Sequence, residues 1–263
     1  MVLRRTTYAI TQRCTLKCKL CLAFAPYYKN PCDASVEEVE RALKRYFELV
    51  DEVGIFSLAG GEPLMHKNLS QIFSLVLQYQ TQIKDHIDIV TNGTLLFSPE
   101  TLQILMSNPK IRVIISDYGK DLSRKVEDLK KQLEDAHVFY RIQNYAGDDN
   151  WLYNGWVDFR DHSIKHFNEE EIKAQAKSCI FRQGHYYVIN EGELHPCSRQ
   201  YWRMREGIMP KDKKYFVDLL ANESVAEQRV KLERIENLEY LLSCSRCEGV
   251  RNNSKRYKPA EQL

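Results

Sequence analysis

Residues 6–21 read TTYAITQRCTLKCKLC, a β-rich run from Thr6 to Thr11 that opens directly onto three cysteines, Cys14, Cys18 and Cys21. Three residues separate the first pair and two the second, so the thiols share one short loop. Three thiolates so placed can hold three corners of a four-iron cluster and leave the fourth iron without a protein ligand. A zinc ion would accept the same triplet if Cys32 completed a tetrahedron. Spacing alone leaves the two readings open.

Outward from this loop the chain alternates strand and helix. Ser35 and Glu38 have capping-box spacing ahead of Val39, Leu43, Tyr46, Phe47 and Val50, which recur at helical period. GIFSL at 54–58 reads as a second strand running into Ala59, Gly60, Gly61, Glu62 and Pro63, followed by a helix with Leu69, Ile72, Phe73 and Val76 on one face. HIDIVT is a buried strand ending at Thr91, before Asn92 and Gly93, and Ser98 with Pro99 starts a helix through Met106. IRVIIS is a fourth strand ending at Ser116, 122–133 a helix, and HVFYRI a fifth strand. Strand and helix in alternation imply parallel strands with helices packed outside, an α/β class. About 25 to 30 residues per unit leaves no room for a closed eightfold barrel ahead of the second cysteine group, whereas a partial TIM-like (β/α)6 barrel fits.

The segment 143–166 is irregular and aromatic, and marks a hinge between a barrel over 1–165 and an extension over 166–263. Within the extension, 168–177 reads as a helix, and Asn190, Glu191 and Gly192 turn a hairpin between 186–189 and 193–195. Ser224 with Glu227 caps a helix that ends near Leu242.

Composition bounds the function classes. The 263 residues are 43% hydrophobic with a formal net charge of +2, so there is no field to attract nucleic acid, and the Lys211, Lys213, Lys214 run reads as a solvated surface. No apolar stretch has the length of a signal peptide or a membrane span, and a cytoplasmic protein without membrane association is expected. In a reducing compartment the eight cysteines, grouped as 14, 18, 21 and 32 and as 179, 197, 244 and 247, point to metal ligation rather than disulfides.

Gly60, Gly61 and Glu62 at the end of the second strand decide between iron and zinc. A cysteine loop after the first strand and GGE after the second together resemble the signature of the radical S-adenosylmethionine (radical SAM) superfamily. Two glycines let backbone approach a ligand closely, and the carboxylate accepts hydrogen bonds from an ammonium group. The resemblance covers about the first 165 residues. It implies a 4Fe-4S cluster on Cys14, Cys18 and Cys21, and S-adenosylmethionine bound near Leu20, Gly60, Gly61, Glu62, Thr91, Asn92, Ser116 and Asp117. It further implies reductive cleavage of the S–C5′ bond to a 5′-deoxyadenosyl radical that takes a hydrogen atom from substrate, with flavodoxin or ferredoxin as the electron donor. Strand-end turn chemistry is the competing account of Thr91, Asn92, Ser116 and Asp117.

Cys179, Gly192 and Cys197 fit C-x12-G-x4-C, and CSRC spans 244–247. This is similar to the SPASM/twitch extension of radical SAM enzymes, in its shorter form because no cysteine follows Cys247. The resemblance implies a second 4Fe-4S cluster fully ligated by Cys179, Cys197, Cys244 and Cys247, working in electron transfer. A structural zinc is the alternative there, and Cys32 is left without a partner.

Within that group the chain looks most like the 2-deoxy-scyllo-inosamine dehydrogenase type, which implies oxidation of a carbinol in a sugar or aminocyclitol with the second cluster as acceptor. A peptide-modifying maturase is the next reading, weakened by the short stretch ahead of Cys14. An epimerase would need a hydrogen donor such as Cys32, and a non-enzymatic protein with two structural zincs is the alternative of a different class. Arg160 is the catalytic candidate, a fork able to hold a hydroxyl-rich or phosphorylated substrate. An ion pair with Asp158 or Asp161 competes. His195, Arg199 and Tyr201 flank Cys197, and Trp151, Tyr153 and Trp156 are rings able to stack on a sugar or to bury one another.

Overall fold

The computed structural model describes residues 1–147 and 151–263, so three residues of the irregular 143–166 segment, 148–150, lie outside the described residues. Five strands, β1 (Val2–Thr11), β2 (Glu52–Gly60), β3 (Ile83–Thr91), β4 (Ile111–Asp117) and β5 (Tyr140–Asn144), alternate with helices α1 (Val36–Leu49), α2 (Leu69–Leu77), α3 (Pro99–Met106) and α4 (Val126–Asp135). Beyond them come α5 (Glu169–Ser178), α6 (Ile180–Gln183), β6 (Tyr186–Asn190), β7 (Glu193–His195), α7 (Ser198–Arg205), β8 (Val217–Asp218) and α8 (Val225–Glu236). One sheet holds all eight strands in the order β5-β4-β3-β2-β1-β6-β7-β8. The pairings from β5 through β1 to β6 are parallel, and the sheet stays open, as a partial barrel requires. The α/β class and the incomplete TIM-like barrel are therefore those expected from the sequence.

Local chemistry sets the element boundaries. The hydroxyls of Ser35, Ser98 and Ser224 accept from the backbone N–H groups of Glu38, Thr101 and Glu227, and at Ser224 the Glu227 carboxylate closes a full capping box. The expected α2 face, Leu69, Ile72, Phe73 and Val76, is the buried one.

Strands β1 and β3 start earlier than read, at Val2 and Ile83, and three other boundaries differ. Helix α4 starts at Val126 rather than Leu122, because the Ser123 hydroxyl donates to the Asn92 carbonyl at 2.7 Å and the Lys125 N–H to the Gly93 carbonyl at 2.8 Å, tying the preceding turn to the end of β3. His137 has φ +52°, and strand β5 begins only at Tyr140. Helix α8 stops at Glu236, and a 3-10 turn over Leu242–Arg246 carries Cys244.

The strand assigned to the hairpin does double duty. Strand β6 pairs antiparallel with β7, and its other edge pairs in parallel with β1 from Arg5↔Tyr186 to Tyr8↔Ile189. The hairpin is thus also the sixth parallel strand, and the later cysteines are built onto the sheet that carries the first three.

The largest core lies between the helices and the sheet, with Tyr8, Leu43, Phe56, Phe73 and Ile89 fully buried. A smaller aromatic core joins the two ends of the chain: Phe24, three residues past Cys21, stacks on Trp202 of α7 at 4.2 Å between centroids. Among the described residues no helix is long and apolar enough to cross a membrane.

Candidate active site

The Cys14–Cys21 loop leaves the carboxyl end of β1 and is surrounded by donors. Cys14 Sγ accepts from the Leu16 N–H at 3.4 Å and from Asn92 Nδ2 at 3.5 Å, and Cys18 Sγ accepts from Gln262 Nε2 at 3.4 Å. Burial pushes the Cys14 thiol up to about 11 and the Cys18 thiol to about 12. The charges of the neighbouring cysteines add to both shifts. Burial also raises Cys21, against the pull of the Ala25, Ala23 and Phe24 N–H groups. A cationic iron core would draw off those protons and inherit the donors, so the residues fit a cluster.

Sequence reading missed the far wall of this site. Residues 260–263 run antiparallel to the loop: Lys19 N donates to Glu261 O at 2.7 Å, Leu263 N to Lys17 O at 2.9 Å, and Lys17 N to Gln262 Oε1 at 2.7 Å. Ala260 packs there with Leu16 and Cys18. KPAEQL carries no periodicity or motif that would announce such a contact.

Gly60 and Gly61 serve the backbone before any ligand. Gly61 N donates to Thr11 O and Glu62 N to Arg13 O, both at 2.8 Å, lacing β2 to the exit of β1 just ahead of Cys14. A Cβ on Gly60, at φ +144°, would overlap the Thr11 carbonyl oxygen, and one on Gly61 the Arg13 carbonyl oxygen. Close approach is needed, but between strands.

Glu62 is fully buried, and its carboxylate accepts from Asn92 N at 2.7 Å and Leu64 N at 3.1 Å. Burial, partly offset by those N–H groups and by Thr91, raises its carboxyl from an ordinary 4.5 to about 7. Between these pH values the folded chain holds a proton that the unfolded chain has released, so stability from this group is full below the lower value and is lost as pH rises through the upper one. Glu62→Gln removes that dependence. In denaturant titrations of reconstituted protein, wild type should lose about 2 to 3 kcal/mol relative to Glu62→Gln between pH ~5 and ~8. A gap that does not change with pH would overturn this.

The other positions implied for S-adenosylmethionine cluster at the same end of the sheet. Asn92 touches the loop directly, through Cys14 Sγ and through Thr15 Oγ1 at 3.0 Å. Leu20, Thr91 and Ser116 are buried. Asp117 accepts from Gly119 N at 2.8 Å, which is strand-end turn chemistry.

The later cysteines converge. Cys179, Cys197, Cys244 and Cys247 line one small pocket, together with Arg199 and Arg182. No acidic side chain lines it. Burial pushes Cys244 up to about 12 and also raises Cys247, against the charges of Arg199 and Arg203. At Cys197 burial is outweighed by the Arg199 charge and the Gln200 and Arg199 N–H groups, and the thiol is lowered. Tetrahedral zinc, with Zn–S of ~2.3 Å, draws its thiolates to within about 4 Å of one another. Four thiols around one pocket suit the four irons of a cluster as well as a single zinc. Arg199 Nε and Nη1 and Arg182 Nε are buried without a hydrogen-bond partner, donors waiting for an acceptor in that space.

The remaining candidates are engaged elsewhere. Arg160 forks onto Asp158, Nε to Oδ1 at 2.9 Å and Nη2 to Oδ2 at 2.6 Å, which fills the geometry a bidentate substrate contact would need. Trp156 packs edge-on against Tyr118 at 5.6 Å, Trp151 donates to the Gly147 carbonyl, and Tyr153 is exposed. His195 stacks on Phe216 at 4.6 Å and pairs with Glu193, which also holds Lys211. Tyr201 hydrogen-bonds Glu191 and receives Gln12 Nε2, and Cys32 Sγ donates to Glu191 Oε1 at 3.4 Å.

Comparison with known proteins agrees with this geometry. Residues 8–116 match the model of the radical SAM superfamily. Curated relatives are named GTP 3′,8-cyclase: that of Syntrophomonas wolfei is 34% identical over 89 residues, 33% of this chain and 26% of the relative. That of Sulfurimonas denitrificans is 21% identical over 224 residues, 76% of this chain and 68% of the relative. The first of these matches spans only about a quarter of the relative's length. Among solved structures, BtrN in complex with AdoMet and 2-DOIA shares the fold with a TM-score of 0.59 at 14% identity, covering 98% of each chain. Native anSMEcpe with bound AdoMet and Cp18Cys peptide does so with a TM-score of 0.56 at 14% identity, covering 89% of this chain and 81% of that one. The matched residues 8–116 carry the cysteine loop, the two glycines and Glu62, so it is the segment that builds this site that is similar to the radical SAM superfamily.

Proposed function

We propose that this chain is a radical SAM enzyme of the twitch type that oxidises a carbinol of a sugar or aminocyclitol. In this reading residues 1–165 supply five strands of the S-adenosylmethionine barrel, and 166–263 supply the sixth together with an extension holding a second 4Fe-4S cluster. The observation that carries it is the cavity lined by four thiols rather than three. A cluster ligated at every iron has no position left for substrate and is suited to take an electron.

When bound, the first cluster and S-adenosylmethionine together supply a 5′-deoxyadenosyl radical able to remove a substrate hydrogen atom. The protein supplies placement. Cys14, Cys18 and Cys21 hold the first cluster at the carboxyl end of β1, and Asn92 fixes Cys14 from the end of β3. Gly60 and Gly61 bring the β2 terminus against the loop, so strand-end carbonyls are available there to receive an ammonium group, while the Glu62 carboxylate holds the Asn92 and Leu64 N–H groups. The Phe24–Trp202 stack sets the distance between the two cysteine sets. Flavodoxin or ferredoxin is the proposed electron donor.

The fold shared with BtrN, which was solved with AdoMet and 2-DOIA, extends over 98% of both chains, and it is by that analogy that a small-molecule substrate is put first. A nucleotide substrate is the second reading, favoured by the Sulfurimonas match, which at 76% of the chain reaches past the barrel. Anaerobic reconstitution with iron and sulfide should give about eight irons per chain. Deuterated aminocyclitols, nucleotide sugars, GTP and peptides are then tested for deuterium transfer into 5′-deoxyadenosine and for a ketone product. Absence of any S-adenosylmethionine cleavage would sink the radical SAM reading, and about four irons in wild type would sink the second cluster.

A further inference from the structure

Arg199 sits on α7, two residues past Cys197, with 2% of its surface exposed. Its guanidinium lies between the rings of Phe181 and Phe159, at 4.4 and 4.9 Å from their centroids. Nε and Nη1 are buried and make no hydrogen bond, and among the described residues Arg199 enters no ion pair. Burying a cation with unsatisfied donors is strongly unfavourable unless a negative group faces it. All four cysteines of the cavity act on Arg199 as negative charges when ionised.

Arg203, one turn further along α7, is also fully buried. It is occupied by the Ser243 hydroxyl at 2.6 Å, the Ser243 carbonyl at 3.2 Å and His162 Nδ1 at 3.2 Å, and likewise has no carboxylate partner among the ion pairs found. An oxidised four-iron core with four thiolates carries a net charge of about −2, and adding an electron makes it more negative. A guanidinium packed against it by two rings therefore favours the reduced form, through its charge and through N–H donation to sulfur.

We propose that Arg199 is the residue that sets the reduction potential of the second cluster, raising it so that the cluster accepts the electron left on the substrate. It is a positioning and tuning residue, not a group that touches substrate. Arg182, whose Nε is also unpaired in the cavity wall, is more distant in role because its Nη2 is held by the Leu238 carbonyl at 2.8 Å. The inference rests on the reading of this cavity as an iron–sulfur site.

The test uses the full chain carrying Cys14→Ala, Cys18→Ala and Cys21→Ala, so that only the second cluster is present, with Arg199 intact or replaced by Lys or Gln. Iron is counted, and the midpoint potential is read by electron paramagnetic resonance during redox titration. Arg199→Gln should shift the reduction equilibrium about tenfold toward the oxidised cluster, close to 59 mV for one electron, with Arg199→Lys between it and the parent. An iron-complete variant with the parent's potential overturns the proposal. Loss of iron from both variants overturns it too, because Arg199 would then serve assembly rather than tuning. No iron in the parent would instead count against the cluster reading itself.

Discussion

Gly61→Ala should cost the protein its first cluster and leave the second. The added Cβ would overlap the Arg13 carbonyl oxygen and stand 3.0 Å from Cys14 N, in a seam where Gly61 N and Glu62 N donate to Thr11 and Arg13 across 2.8 Å. Nothing flexible lines that contact, so β1 and β2 must separate just where the chain enters the cysteine loop. Such a shift costs on the order of 3 to 5 kcal/mol, and displacing a catalytic group by ~1 Å lowers rate about a hundredfold. Reconstituted Gly61→Ala should retain about four irons of about eight and release little 5′-deoxyadenosine. Gly207→Ala is the control: its φ is +74° but its Cβ would meet nothing within 4 Å, so it carries only the ~1 kcal/mol of a strained backbone. Full iron content and wild-type cleavage in Gly61→Ala would refute the account.

The two glycines also show how far the sequence could be read. Their position after a strand was legible, and so was the alternation that makes the barrel, because strand and helix periods and the serine caps are local properties. What they touch was not. Close approach to a ligand is the natural reading of GGE, yet here the approach is to Thr11 and Arg13, two strands' ends meeting, and only the register of β1 on β2 reveals it. The same holds for β6, whose hairpin turn is local but whose parallel pairing with β1 spans most of the chain. Arg160 failed as a free fork for a local reason that sequence could have given, since Asp158 stands two residues away. Gln262 and the buried arginines of α7 could not be found without tertiary contacts.

Cys179→Ala combined with Cys197→Ala should uncouple the two halves of the chemistry. Removing two thiolates leaves Arg199 and Arg203 as buried cations with no carboxylate to face, a penalty of about 3 to 5 kcal/mol that falls on α5, α7 and the Leu242–Arg246 turn. The first cysteine loop is anchored elsewhere, by Asn92 of the β3 end, by the Gly61 and Glu62 backbone and by residues 260–263. The Phe24–Trp202 stack and the Gln12–Tyr201 hydrogen bond link it to the damaged region from one side. The double variant should therefore hold about four irons, still form 5′-deoxyadenosine from S-adenosylmethionine, and give no oxidised product. Limited proteolysis should cut the extension ahead of the barrel, since a locally destabilised unit opens before the whole. Retention of all the irons, or product formed at the wild-type yield per 5′-deoxyadenosine, would show that the electron leaves the substrate by some route other than the four-cysteine cavity.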